Sequence, residues 1–544
     1  MKRRTWIISA LMYAMVFMVC VGVLHVLKKM TEPSVPSGAG SSEYTAQAPE
    51  NGEGGSGGKR PEGEGGEGED GEGEDGEGED GEGEDGEAEG GAGNTGEAGN
   101  GTGTDHIKRQ TGYSGWKQQI SQVWTPEPQE EPYKLPRIIL ATDLHYQSRE
   151  AGDGGAAFQE FAAQSDGKVI QYLPELLEAF LDEVIEDQPS ALILSGDITM
   201  NGEKLNHEEL AARLKRVQEA GIPVLIIPGN HDINNTGAAV YLGEKKTPAA
   251  SVTPQEFLEI YGAYGYDQAL SRDEHSLSYV YQLDEKNRLL MLDSCQYEPR
   301  NLVEGRLKEE TLQWMDEQLD KAQKEEMTVI PVAHHNLLAQ SRMYTTQCAM
   351  ENNGEVIELL QKYKLPVFFS GHLHVQRIRK HKSEPGEPED AYGIREIITD
   401  AISIPPCQYG EIIWQEDGSL RYETRSVDVS SWARKKGSSN PDLLDFENWS
   451  YTYIMELISA QIRSGIKNLG EEAEASMASV YAGVYIDYYA GREIDAAGVR
   501  SSVGYRFWQR NMPDSRLLRE LEAMMTDADR DNNYCLLPEL WEAD

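Results

Sequence analysis

From residue 137 onward the chain alternates short aliphatic runs with stretches whose apolar positions recur every three to four residues. RIILATD (137–143), ALILSGD (191–197), PVLIIPGN (223–230), VIPVAHH (329–335) and PVFFSGH (366–372) are brief, and all but continuously apolar until a polar residue or glycine ends them. Between the first two lies YLPELLEAFLDEVIED, and between the second and third HEELAARLKRVQEAG, closed by Gly221; LKEETLQWMDEQLDKAQ and EVIELLQKYK follow later. Strands without polar alternation are buried on both faces, and helical periodicity between them supplies the covering layers. Residues 277–293 read instead as a hairpin turning near Asp284, and residues 393–428 add further strands with a second hairpin. The pattern predicts an α/β body whose sheets are covered by helices on both sides.

The pattern changes at both ends. Beyond SSWARKKGSSNPD, at about residue 430, YTYIMELISAQIRSGIKNL and LLRELEAMMTDA predict a small C-terminal helical domain over 431–544. Its sequence carries no catalytic motif, and DADRDNNYCLLPE (527–539) copies only the opening of a calcium-binding loop. Asn532 stands where that loop needs glycine and Pro538 where it needs a carboxylate, so a polar turn between helices is the expectation. At the other end, Lys2, Arg3 and Arg4 precede 23 residues without a Lys, Arg, Asp or Glu, a helix rise of ~34 Å against a ~30 Å hydrocarbon core. An apolar run of this length that ends in HVLKK favours an uncleaved single-pass anchor over residues 1–30 rather than a cleaved leader. The balance of flanking basic residues places the rest of the chain outside the cell.

Composition explains what lies between. Residues 31–105 hold 22 acidic residues against Lys59 and Arg60, nearly half of the chain's net charge of −43, with GEGED repeated through residues 66–85. Dense like charge and few apolar groups predict a disordered, self-repelling linker over 31–131. This charge also excludes nucleic acid as a partner. Five cysteines with no CxxC pair define no disulfide framework.

Chemistry gathers at the ends of the apolar runs. In open α/β sheets ligands collect beyond the carboxyl ends of the strands. There the chain places Asp143 and His145, Gly196-Asp197, Gly229-Asn230-His231-Asp232, His334-His335, and Gly371-His372-Leu373-His374. Imidazole, carboxylate and amide donors without thiolate suit borderline divalent metals. On an extended strand Asp143 and His145 face one side and can share an ion. Glycines at 196, 229 and 371 let backbones turn or approach without a Cβ in the way.

In this order, D-x-H, GD followed by Asn201-Gly202, GNHD, a strand-end His and GHLH resemble the calcineurin-like metallophosphoesterase superfamily over residues 136–425. SGDITMNGEKLNHEEL, IPGNHDINN and the helical extension are similar to bacterial class III cyclic-nucleotide phosphodiesterase-like proteins. The resemblance implies a four-layer α/β/β/α sandwich over 132–430 and two divalent ions, of which Mn, Fe or Zn fit the donors best. A first ion would be held by Asp143, His145, Asp197 and His374, and a second by Asp197, Asn230, His334 and His372. Two such ions acidify a shared water and neutralise phosphoryl charge. Asn230 would also orient a phosphoryl oxygen, and His231 would protonate the leaving oxygen, its ring held by Asp232. His207 is expected on the surface at a helix start. The implied activity is hydrolysis of small phosphodiesters, with 3',5'-cyclic nucleotides as one substrate class. A phosphomonoesterase or nucleotidase, and a surface-displayed binding protein with an inert site, are the alternatives.

Overall fold

The computed structural model describes residues 133–381 and 393–537. The expected anchor and acidic linker lie outside the described residues, and among those described no helix is long and apolar enough to cross a membrane. The described residues form one compact unit.

Fifteen strands are described: β1 (Arg137–Ala141), β2 (Ala191–Ser195), β3 (Val224–Ile227), β4 (Ala239–Leu242), β5 (Lys245–Pro248), β6 (Ser271–Arg272), β7 (Tyr279–Gln282), β8 (Asn287–Leu292), β9 (Thr328–Ala333), β10 (Val367–Ser370), β11 (Arg377–Lys380), β12 (Arg395–Ile398), β13 (Gln408–Trp414), β14 (Leu420–Ser426) and β15 (Tyr534–Leu537). They form a six-stranded sheet in the order β15-β14-β13-β1-β2-β3, a seven-stranded sheet in the order β11-β12-β10-β9-β8-β7-β6, and a β4-β5 ribbon. β1, β2 and β3 run parallel, as do β8, β9, β10 and β12, so several chemistry-bearing tips leave each sheet at one edge.

The second sheet shows why its runs are apolar throughout. Leu289 and Met291 of β8, Ile330 and Val332 of β9, and Val367 and Phe369 of β10 share a core with the first sheet. Their neighbours Leu290, Leu292, Val329, Ala333 and Phe368 enter a separate core with Met315, Leu319, Val356 and Leu360 of helices Glu309–Lys324 and Asn353–Lys362. A two-residue side-chain period with both faces covered demands apolar residues at every position. Helices Leu173–Asp187 and Lys204–Glu219 cover the other side of the first sheet, completing four layers.

The C-terminal region is helical, but its last described element is a strand. Its centre is Glu471–Tyr489, a helix buried on several faces through Tyr481, Val484, Tyr485, Ile486, Tyr488 and Tyr489. After Arg516–Asp527 the chain turns into β15, which joins the edge of the first sheet against β14. The 527–533 segment is therefore a helix-to-strand turn, correcting the helix-to-helix expectation. Asp527 is 2% exposed. Its carboxylate accepts the Arg342 amide at 2.7 Å, and its carbonyl accepts from the guanidinium of Arg377, itself 1% exposed. A carboxylate held inward this way is not the first ligand of a calcium loop. The four described cysteines are free and buried.

The Asp527 carboxylate also pairs with the buried Arg377 guanidinium at 3.6 Å, and removing one member of a buried ion pair strands the other charge, which costs ~3–5 kcal/mol. Asp527→Ala should lower the unfolding free energy by about that amount in urea denaturation, whereas a solvated calcium-loop carboxylate would leave it nearly unchanged.

Candidate metal centre

The site is built where the backbone bends abruptly. β1 ends at Ala141, so Asp143 and His145 lie beyond it, with φ of 53° and 44°. Asp197, His372 and His374 are likewise left-handed, at 47°, 72° and 56°. This corrects the expectation that Asp143 and His145 converge by strand alternation: left-handed bends, not an extended strand, turn them together. L-residues avoid this region at a cost of ~1–3 kcal/mol each, and a run of such residues in one place marks a functional site. Backbone bonds hold the bends in register, from the Asp143 amide to the Gly196 carbonyl at 3.1 Å and from the His145 amide to the Asp197 carbonyl at 2.9 Å. Glycine is required where loops cross most closely. A Cβ on Gly229 would collide with the Asp197 amide and carboxylate, and one on Gly371 with Thr142 and Asp143.

Two donor clusters result. Asp143, His145, Asp197 and His374 present ligand atoms all within 4.8 Å of one another, and His334, His335 and His372 do the same. The Nε2 atoms of His145 and His374 are 3.0 Å apart. Two nitrogens at right angles about one ion, each ~2.1 Å from it, have that ~3 Å separation. The Asp143 Oδ2 accepts from the Thr142 hydroxyl and the His372 amide, whereas its buried Oδ1 has no hydrogen-bond partner and lies 3.3 Å from His374 Nε2. An orphaned buried carboxylate oxygen among imidazoles fits a cation.

Asp197 links the clusters. Its Oδ1 accepts the His231 amide at 2.7 Å, leaving Oδ2 at 3.4 Å from His334 Nε2 and 3.9 Å from His145 Nε2. His334 Nε2 also lies 3.2 Å from Asn230 Oδ1. Burial opposes a charge on His334, but Asp197 and Asp143 outweigh it and raise its pKa to about 9. Burial acts against the Asp197 carboxylate too, yet the surrounding imidazoles hold its pKa well below the usual range. The neighbouring His335 has both ring nitrogens engaged, Nδ1 with the Ser294 hydroxyl and Nε2 with the Val303 carbonyl. The geometry therefore turns His334, not His335, toward Asp197 and Asn230.

Three of the four inward histidines are fixed from behind, whereas His145 Nδ1 is buried without a hydrogen-bond partner. His334 Nδ1 meets the Ser195 carbonyl at 3.0 Å, His372 Nε2 the Gln347 carbonyl at 2.9 Å, and His374 Nδ1 the Asp166 carboxylate at 2.7 Å. Such contacts set tautomer and orientation, as they do around metal-bound imidazoles. Asn301 supports the GNHD turn by donating to the Asn230 and Ile233 carbonyls, and Glu396 accepts the Leu337 and Leu338 amides just after His335. Asp166, Asn301 and Glu396 escaped sequence reasoning because each sits far along the chain from the loop it holds and outside any strand tip.

His231 stands apart. Its side chain is 36% exposed, and Nδ1 faces the Met200 carbonyl at 2.9 Å and Asn201 Oδ1 at 3.0 Å. Asp232 does not hold this ring, contrary to expectation. It is buried and accepts the Gly229, Ile198 and Thr199 amides and the Thr199 hydroxyl, tying the GD loop to the GNHD loop. Burial, reinforced by Asp197, pushes its pKa up to about 7. His207 is not on the surface either. It is wholly buried, with Nδ1 3.0 Å from the Tyr261 hydroxyl and Nε2 2.9 Å from the Asp232 carbonyl. Burial drives its pKa down to about 4. Its helix starts beneath Tyr261 of the following helix, so the first turn is covered.

Asp232→Ala would leave three backbone amides without their acceptor, at ~1–3 kcal/mol for each buried group. A loss of ~3 kcal/mol or more in denaturation is expected; a residue that only steered His231 would reduce turnover and leave stability untouched.

Parts of this chain are similar to known proteins. Residues 136–376 match the calcineurin-like phosphoesterase family, and residues 428–531 the C-terminal domain of cyclic nucleotide phosphodiesterase. A protein of Psychrobacter arcticus described as a probable cyclic nucleotide phosphodiesterase is 25% identical over 266 residues, covering 48% of this chain and 80% of that one. One of Synechococcus with the same description is 24% identical over 187 residues, covering 34% and 58%. Among solved structures, a dimetal phosphatase from Danio rerio aligns at 15% identity with a TM-score of 0.39, covering 54% of this chain and 97% of that one. The chain thus carries a calcineurin-like metallophosphoesterase domain followed by a cyclic nucleotide phosphodiesterase C-terminal domain.

Proposed function

We propose that this protein hydrolyses small phosphodiesters at a binuclear centre. In this reading Asp143, His145, Asp197 and His374 hold one divalent ion, and Asp197, Asn230, His334 and His372 hold the other. The observation that carries it is the Asp197 Oδ2, set between His334 Nε2 and His145 Nε2. Cyclic nucleotides are the proposed substrate class, supported by the descriptions of both relatives and by the matched C-terminal domain. Mn, Fe or Zn suits an oxygen and imidazole donor set. The basic flank and apolar run at the N-terminus support display of the catalytic domain outside the cell on a single-pass anchor.

When bound, two divalent ions supply Lewis acidity and an acidified water for displacement at phosphorus. The chain's own groups do the rest. The Met200 carbonyl can only accept, so it keeps a proton on His231 Nδ1 and leaves Nε2 as the atom that exchanges a proton with the departing oxygen. Partial exposure of this ring puts it where substrate arrives. Asn230 turns Oδ1 toward His334, which frees its amide N–H to donate to a phosphoryl oxygen.

His231→Ala should retain both ions and lose ~10²–10⁴ in turnover, the range of a proton-transfer group; loss of metal from that variant would contradict its role. Asp197→Ala should lose activity together with metal, and full binuclear occupancy by elemental analysis would refute the bridge. With Mn²⁺ the wild type should cleave bis(p-nitrophenyl) phosphate faster than p-nitrophenyl phosphate. The reverse preference would indicate a monoesterase, and no cleavage of either an inert site.

A further inference from the structure

The C-terminal helices grip one loop of the catalytic domain, and that loop touches the metal centre. Residues 164–168 leave the end of helix Ala156–Ala163 on the way to helix Leu173–Asp187. From helix Phe446–Gly465, Gln461 donates its amide to the Ser165 carbonyl at 2.8 Å and to the Ala163 carbonyl at 3.2 Å, and the Tyr453 hydroxyl donates to the Lys168 carbonyl at 3.3 Å. From helix Glu471–Tyr489, the Tyr485 hydroxyl donates to the Asp166 carbonyl at 3.0 Å. Gly167, at φ +114°, lies so close to Ile454 that a side chain there would strike it. Four carbonyls of this stretch, those of Ala163, Ser165, Asp166 and Lys168, are thus held by two helices that carry no ligand themselves.

What the grip positions is a carboxylate. Asp166 directs Oδ2 to His374 Nδ1 at 2.7 Å and Oδ1 to Lys168 Nζ at 2.6 Å. The opposite ring nitrogen, Nε2, faces His145 and Asp143. Two residues beyond His374, the Gln376 amide donates to the Tyr489 carbonyl at 2.8 Å and its side chain to the Asn532 carbonyl at 2.9 Å. The GHLH turn is therefore secured on both sides by the C-terminal region, through Asp166 on one and through Gln376 on the other.

We propose that the C-terminal helical region is a clamp for the first metal position, and that Asp166 is a positioning residue that orients His374 toward that ion. This rests on the binuclear reading above. The helices take no part in the chemistry; they fix the loop, the loop fixes the carboxylate, and the carboxylate fixes the ring. A carboxylate behind a ligating imidazole also makes the ring a better donor, and removing such a partner typically lowers metal affinity ~10–100-fold.

The test is Mn²⁺ binding to the full chain, by equilibrium dialysis, with Co²⁺ absorption as a report on ligand geometry. Wild type should bind two equivalents. Asp166→Ala should bind one equivalent ~10–100-fold more weakly, with an altered Co²⁺ spectrum, and leave the other affinity within twofold. Asp166→Asn, which keeps an acceptor, should recover part of the loss. Tyr485→Phe combined with Gln461→Ala, altering only the grip, should weaken the same equivalent by a smaller factor. Thermal melts of the metal-free variants separate this from unfolding, because a merely structural residue would lower the melting temperature without selecting one ion. Two ions bound to Asp166→Ala as tightly as to wild type would overturn the clamp alone. A wild type that binds no ion would overturn the binuclear reading and the clamp with it.

Discussion

Two carboxylates and five imidazoles can crowd around one small volume only if the backbone beneath them turns more sharply than a strand permits. The left-handed residues at 143, 145, 197, 372 and 374 provide that turning. Each is locally unfavourable, and together they would relax if the loops were free. They are not free: adjacent bends bond to each other through their amides, and Asp232 ties the 197–199 segment to Gly229. The rest of the fold serves this constraint. The central strands of the two sheets, sealed on both faces, make rigid anchors for the strand ends, and strain at the tips is opposed by burial behind them.

Electrostatics acts in the same direction. Like charges or like donors brought this close repel unless something of opposite sign intervenes. Asp143 and Asp197 lie among His145, His334 and His374, which is why the carboxyl groups are held acidic and His334 basic. Divalent cations compete for the same positions as those protons, because they too favour carboxylates and imidazoles drawn together. The contrast with His207 is instructive. It is equally buried but faces a hydroxyl and a carbonyl, so burial alone acts and its ring stays neutral.

Much of this was legible in the chain, for a physical reason. Runs such as ALILSGD and PVFFSGH state both that a strand is covered on two faces and where it ends, so the tips and their donors could be read directly. The bends could not, because a left-handed aspartate leaves no mark on a hydropathy pattern. Support from a distance was equally hidden: Asp166, Asn301 and Glu396 act across 208, 71 and 59 residues of sequence on His374, Asn230 and Leu337. Local reasoning misled at Asp232 and His207, where a loop carboxylate and a helix start became interior clamps. Helix Glu471–Tyr489 was missed for another reason: buried on several faces, it has no single apolar stripe to betray its period.

The central claim is that these strand tips form one cage for two cations, with Asp197 between them. Anomalous diffraction from crystals grown with Mn²⁺, recorded above and below the manganese edge, addresses it most directly. Two peaks ~3.5–4 Å apart are predicted, one beside Asp143, His145 and His374, the other beside Asn230, His334 and His372. A single peak, or peaks away from Asp197, would contradict the account.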